Sequence, residues 1–177
     1  QHDGSDLNRN VRKMQQAVEN SNKPNLPILI TETNSFGNWQ SKWAAMFKGL
    51  SLFDMLFTQQ ENKNVAYSFI WNSHSAWGGE KKDDGIANAL FNDQNNEITA
   101  MGMPAKILNN TAEERIMIAD NKVHGVTYSY GTYTESTGKA TIYLLNKSKS
   151  AVNMTVTIND FNMTKQSERW VWSGTPD

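Results

Sequence analysis

Apolar positions along the chain fall into two kinds of pattern. Over residues 6–19, Leu7, Val11, Met14 and Val18 recur at intervals of three and four, which predicts an amphipathic helix with Asp3 or Ser5 available as its cap. Ser21, Asn22 and Pro24 then break it. The run over 26–31 is short and almost continuously apolar, as expected of a parallel strand covered on both faces, and Glu32 stands directly at its carboxyl end. Over 39–60, the residues Trp43, Met46, Phe47, Leu50, Phe53, Met55, Leu56 and Phe57 follow a helical period, and a second buried strand is predicted over 65–71. Helix, strand, helix and strand follow one another with connections long enough for parallel crossovers, and residues 72–84 form a polar loop.

The pattern then shifts. Residues 86–91 predict a short strand or turn, and 97–109 a helix carrying Ile98, Met101, Ala105 and Leu108, interrupted at Pro104. Beyond Asn110 come short β-branched and aromatic segments at 115–119, 123–132, 139–146, 152–158 and 169–172. Strict alternation over 152–158 and the turn formers Glu135, Ser136, Thr137 and Gly138 point to antiparallel sheets in a sandwich. The fold expected is α/β followed by all-β: residues 1–110 as the last units of a (β/α)8 barrel and 111–177 as a β-sandwich, itself incomplete.

Composition narrows the partners. The chain has 177 residues, fewer than the roughly 250 of a typical (β/α)8 barrel, so a piece of a larger protein is one expectation. Seventeen Lys and Arg against eighteen Asp and Glu, without a like-sign block, argue against nucleic acid or an anionic membrane as partner. There is no Cys, the three His lie far apart, and no Asp-rich loop has ligand spacing, so neither a metal nor another cofactor is expected. No stretch of eighteen apolar residues occurs, and an export signal is expected upstream of Gln1, with a secreted or periplasmic location. Abundant Asn, six Trp and five Tyr in a chain of mean hydropathy −0.63 suit sugar binding, as they also suit a polar-surfaced domain.

Glu32 is the leading candidate for chemistry, because a carboxylate at the carboxyl end of a buried parallel strand stands on the face where barrel active sites lie. The competing reading is a solvated Glu opening the next loop. One strand later, Trp71 ends the second apolar run, and a carboxylate beside an indole would make a sugar-binding floor. Glu61, Glu80, Asp83 and Asp84 lie in polar stretches and read as surface charge. Trp39 and Trp43 read as helix packing, and Trp170 and Trp172 as core or interface residues.

The segment Thr31-Glu32-Thr33-Asn34, the long helix after it, the strand ending Ile70-Trp71 and the antiparallel carboxy-terminal region resemble strands seven and eight of a clan A retaining glycoside hydrolase. The resemblance covers about the whole chain on short motifs. It implies that Glu32 is the nucleophile and that Trp71 lines the sugar subsite beside the scissile bond. Asn34, His74 and Trp77 would contact substrate, and His2 would stand near the end of strand six. Residues 100–109 are similar to the last barrel helix, and Arg169-Trp170-Val171-Trp172-Ser173-Gly174 resembles sandwich strands of agarase-like and porphyranase-like enzymes. Xylosidase and arabinofuranosidase families share such a layout. The family's acid/base residue comes from an Asn-Glu pair on strand four, which has no counterpart here. The expectation is therefore a polysaccharide or oligosaccharide substrate, a chain inactive alone, and the rest of its own barrel as partner. A non-catalytic carbohydrate-binding or structural sandwich protein is the alternative.

Overall fold

The computed structural model describes residues 5–34, 42–74, 89–92, 95–119, 127–161 and 167–174. Among the described residues, three helices and five strands follow in the order α1 (Ser5–Glu19), β1 (Ile28–Thr33), α2 (Lys42–Gln60), β2 (Val65–Ile70), α3 (Met103–Thr111), β3 (Arg115–Met117), β4 (Thr127–Thr134) and β5 (Lys139–Asn146). Among the described residues the strands form two small sheets, a parallel pair β1–β2 and an antiparallel sheet of order β3-β4-β5, and neither is closed.

The parallel pair is joined through α2, as the long connection requires. Its register is Ile28 with Val65, Leu29 with Tyr67, Ile30 with Ser68 and Thr33 with Ile70, with two irregularities. β1 runs past the apolar stretch to Thr33, so Glu32 lies inside the strand rather than beyond it. The extension is held by the Trp71 N–H, which donates to the Thr33 carbonyl at 3.0 Å.

Among the described residues, only one face of this pair is covered. Ile70 packs on Leu52, Leu56 and Met101, and Gln60 of α2 donates to the Ser68 hydroxyl at 3.0 Å, so Ser68 and Ile70 face the helix. Strand alternation turns Tyr67 and Phe69 the other way, and they are 63% and 53% exposed, with Leu29 open beside them. Of the cover expected on both faces, the described residues supply one side, through α2.

α2 is enclosed almost all round. Phe53 and Phe57 pack against Tyr130, Tyr143 and Leu145 of the antiparallel sheet, with Phe57 stacked on Tyr130 at 4.7 Å between ring centroids. Each such buried aromatic side chain contributes about 1.5–3 kcal/mol through apolar area removed from water. Gly49 lets the backbone of residue 100 come close: a Cβ there would lie 2.3 Å from the Ala100 carbonyl oxygen and 2.6 Å from the Trp172 ring. Trp172 is therefore a packing residue, whereas Trp170 is exposed.

α3 corrects one expectation. Pro104 begins this helix, where its missing N–H costs nothing, instead of interrupting one that started at 97. The residues before it form a turn held by Thr99, whose hydroxyl donates to the Ala89 carbonyl at 2.6 Å and accepts from the Met101 N–H at 3.1 Å.

β4 and β5 pair over their whole length through the anticipated hairpin turn. Gly138 has φ +65, and its N–H donates to the Glu135 carbonyl at 3.3 Å. The strands anticipated at 152–158 and 169–172 join no ladder, and residues 151–159 form no regular element. The alternation there supplies an apolar edge, but no strand among the described residues offers its backbone, and Val152 and Val156 stay exposed. No second sheet faces β3-β4-β5 among the described residues.

Candidate active site

At the carboxyl ends of β1 and β2 the two strands are stitched together by residues that flank Glu32. The Asn34 side-chain amide donates to the Trp71 carbonyl, and the Trp71 N–H donates to Thr33. The Thr33 hydroxyl meets the Gln59 carboxamide from α2, accepting from Nε2 at 2.8 Å and donating to Oε1 at 3.1 Å. Thr33, Asn34 and Gln59 are all buried. The peptide bond Trp71–Asn72 is cis.

A cleft of about 230 Å³ opens beside these strand ends. Glu32, Asn34 and Trp71 line it together with Gln59 and the apolar side chains Val11 and Met55, so three of the anticipated site residues meet there. Glu32 is exposed to solvent and accepts no hydrogen bond or ion pair from any described residue. It is also the one carboxylate among the described residues that lines the cleft. Trp71 presents its indole partly to solvent.

His74 lies elsewhere. Its Nε2 is 2.8 Å from the Asn96 side-chain oxygen, its ring stacks on Phe91 at 5.5 Å, and it does not line the cleft. His2 and Trp77 lie outside the described residues, as do Trp39, Glu80, Asp83 and Asp84. Glu61 is outside the cleft, and its carboxyl is held above the usual range by desolvation first and by the Asp54 charge second, with Arg12 opposing. Among the described residues no group of three or more His, Asp or Glu could hold a metal ion.

Gln59 escaped the sequence reading, and so did a buried cluster one turn earlier. Asp54 of α2 accepts from the Tyr130 hydroxyl and from Lys147 Nζ at 2.6 Å, and all three residues are buried. Burial, followed by the Asp54 charge, raises the Tyr130 phenol far above its ordinary value, so the hydroxyl stays a donor. Lys147 Nζ also sits 4.6 Å from the centre of the Tyr128 ring. A signal was present in the sequence: Lys48, Ser51, Asp54, Thr58 and Gln59 interrupt the apolar stripe of this helix, and polar groups enclosed in that way need partners.

What the arrangement offers chemically is a carboxylate accessible to a ligand, an indole face beside it and buried amides that fix both. Comparison with protein-family models, with curated proteins and with solved structures finds no match.

Proposed function

We propose that this chain is part of a secreted or periplasmic retaining glycoside hydrolase that cleaves β-linked polysaccharide, with Glu32 as nucleophile and Trp71 as the surface on which the sugar stacks. The observation that carries the reading is the meeting of Glu32, Asn34 and Trp71 in one cleft at the carboxyl ends of adjacent parallel strands. That end of a parallel sheet is where ligands bind in such folds. An indole matches the apolar face of a pyranose, and a neighbouring amide suits its hydroxyls.

In this reading a Glu32 carboxylate oxygen attacks the anomeric carbon as the bond to the leaving oxygen breaks. A second carboxyl group, roughly 5 to 5.5 Å away, protonates that oxygen and later activates the water that releases the sugar. No other carboxylate among the described residues lines the cleft, so we assign the second group to the remainder of the barrel. The open face of β1–β2 supports that assignment, since parallel sheets are ordinarily covered on both sides. A galactan of the agarase type is the preferred substrate, on the resemblance of residues 169–174.

The test is Glu32→Gln in the protein as its gene encodes it. Turnover of β-linked polysaccharide should fall at least about a thousandfold with thermal melting unchanged. Unaltered turnover would sink the reading. A second reading, a non-catalytic carbohydrate-binding protein, is favoured by Tyr67, Phe69 and Trp71, three exposed aromatics at alternate positions of one chain segment. Its signature is glycan affinity that survives Glu32→Gln and drops on Trp71→Ala.

A further inference from the structure

Helix α2 carries two buried polar anchors that point in different directions. Asp54 faces the antiparallel sheet, where Tyr130 and Lys147 hold it. Gln59, five residues on and about 7.5 Å further along the axis, lines the cleft with Met55 and grips Thr33. Gln59 is 1% exposed. An apolar side chain would fill that space without the cost of burying a carboxamide, so its hydrogen bonds to Thr33 have something to hold.

What they hold is the junction of the cleft. The Thr33 carbonyl accepts from the Trp71 N–H, its hydroxyl is bound by Gln59, and its chain neighbours are Glu32 and Asn34. Glu32, Thr33 and Asn34 line the same cleft at an irregularity in the β1–β2 register, so the direction in which Thr33 is tied sets that of its two chain neighbours. Rotation of Thr33 would carry the Glu32 carboxylate away from the Trp71 indole.

We infer that Gln59 is a positioning residue: through Thr33 it aims Glu32 and Asn34 into the cleft, and the Asp54–Lys147 pair keeps α2 in the register that delivers it. This rests on the reading of Glu32 as the reacting group, but its test does not require turnover. Carboxyl-labelled glutamate in the full chain gives a carbon-13 resonance for Glu32, assigned by its loss in Glu32→Gln, and amide exchange reports on Trp71.

Gln59→Leu and Thr33→Val should each shift the Glu32 resonance. Each should also speed exchange of the Trp71 amide roughly fivefold, the equivalent of one net hydrogen bond. The double variant should show no more than either single change, and Thr33→Ser, which keeps the hydroxyl, should stay at the wild-type position. A Glu32 resonance that stays put in both single variants while only the melting temperature falls would overturn the inference, and so would effects that simply add. Glu32→Gln with full turnover would instead end the glycosidase reading and leave the coupling measured here intact.

Discussion

The parallel pair β1–β2 and the antiparallel sheet β3-β4-β5 solve the same problem with unequal means. β4 and β5 pair residue for residue from Thr127 with Asn146 to Thr134 with Lys139, turn locally at Gly138, and bury Tyr130, Tyr143 and Leu145 against α2. β1 and β2 are shorter, slip register twice, connect through a whole helix and leave Leu29, Tyr67 and Phe69 open. An antiparallel hairpin completes its backbone pairing from its own sequence neighbourhood. A parallel pair depends on whatever else is packed around it.

The comparison can be broken most forcefully at the buried pair. Lys147→Ala strands the Asp54 carboxylate in the interior and should cost about 3–5 kcal/mol in denaturant unfolding. Replacing both partners by apolar residues, Asp54→Leu with Lys147→Met, should recover most of that loss; a double variant as unstable as the single one would show that the ion pair itself is favourable. A smaller effect is expected at the hairpin turn, where Gly138→Ala forces a Cβ into a left-handed backbone conformation and should cost about 1–2 kcal/mol. Amide exchange across β4–β5 would report it, and unchanged protection would mean that the turn does not limit the hairpin.

Smallest of all should be Phe69→Ser on the open face. Stability should move by less than about 0.5 kcal/mol, whereas the solubility of the chain should rise because an exposed apolar surface is removed. A large destabilisation would mean that this face is covered in solution, and the contrast between the sheets would shrink.

Much of this was readable from residues alone, for reasons that differ by element. The stripe of Phe53, Leu56 and Phe57 marked α2 because an apolar period survives any neighbour, and Gly138 marked the hairpin because few residues accept its φ. Of the site, Glu32, Asn34 and Trp71 were legible as polar or aromatic residues ending apolar runs. Pro104 was misread because the same residue that breaks a helix interior also opens a first turn. The alternation at 152–158 was real but insufficient, since a strand is defined by a partner that its own sequence does not contain. The partners of Gln59 and Asp54 were out of reach, because they lie 26 and 93 residues away along the chain.

That last separation bears on the order in which the molecule assembles. Loop-closure entropy grows with the length of chain enclosed, so the β4–β5 hairpin closes cheaply while the contact of Lys147 with Asp54 waits for a 93-residue loop. Any docking of α2 one turn out of place would have to desolvate the two charges apart. The ion pair therefore bears on alignment as well as stability, since a helix docked out of place would strand charge in the interior.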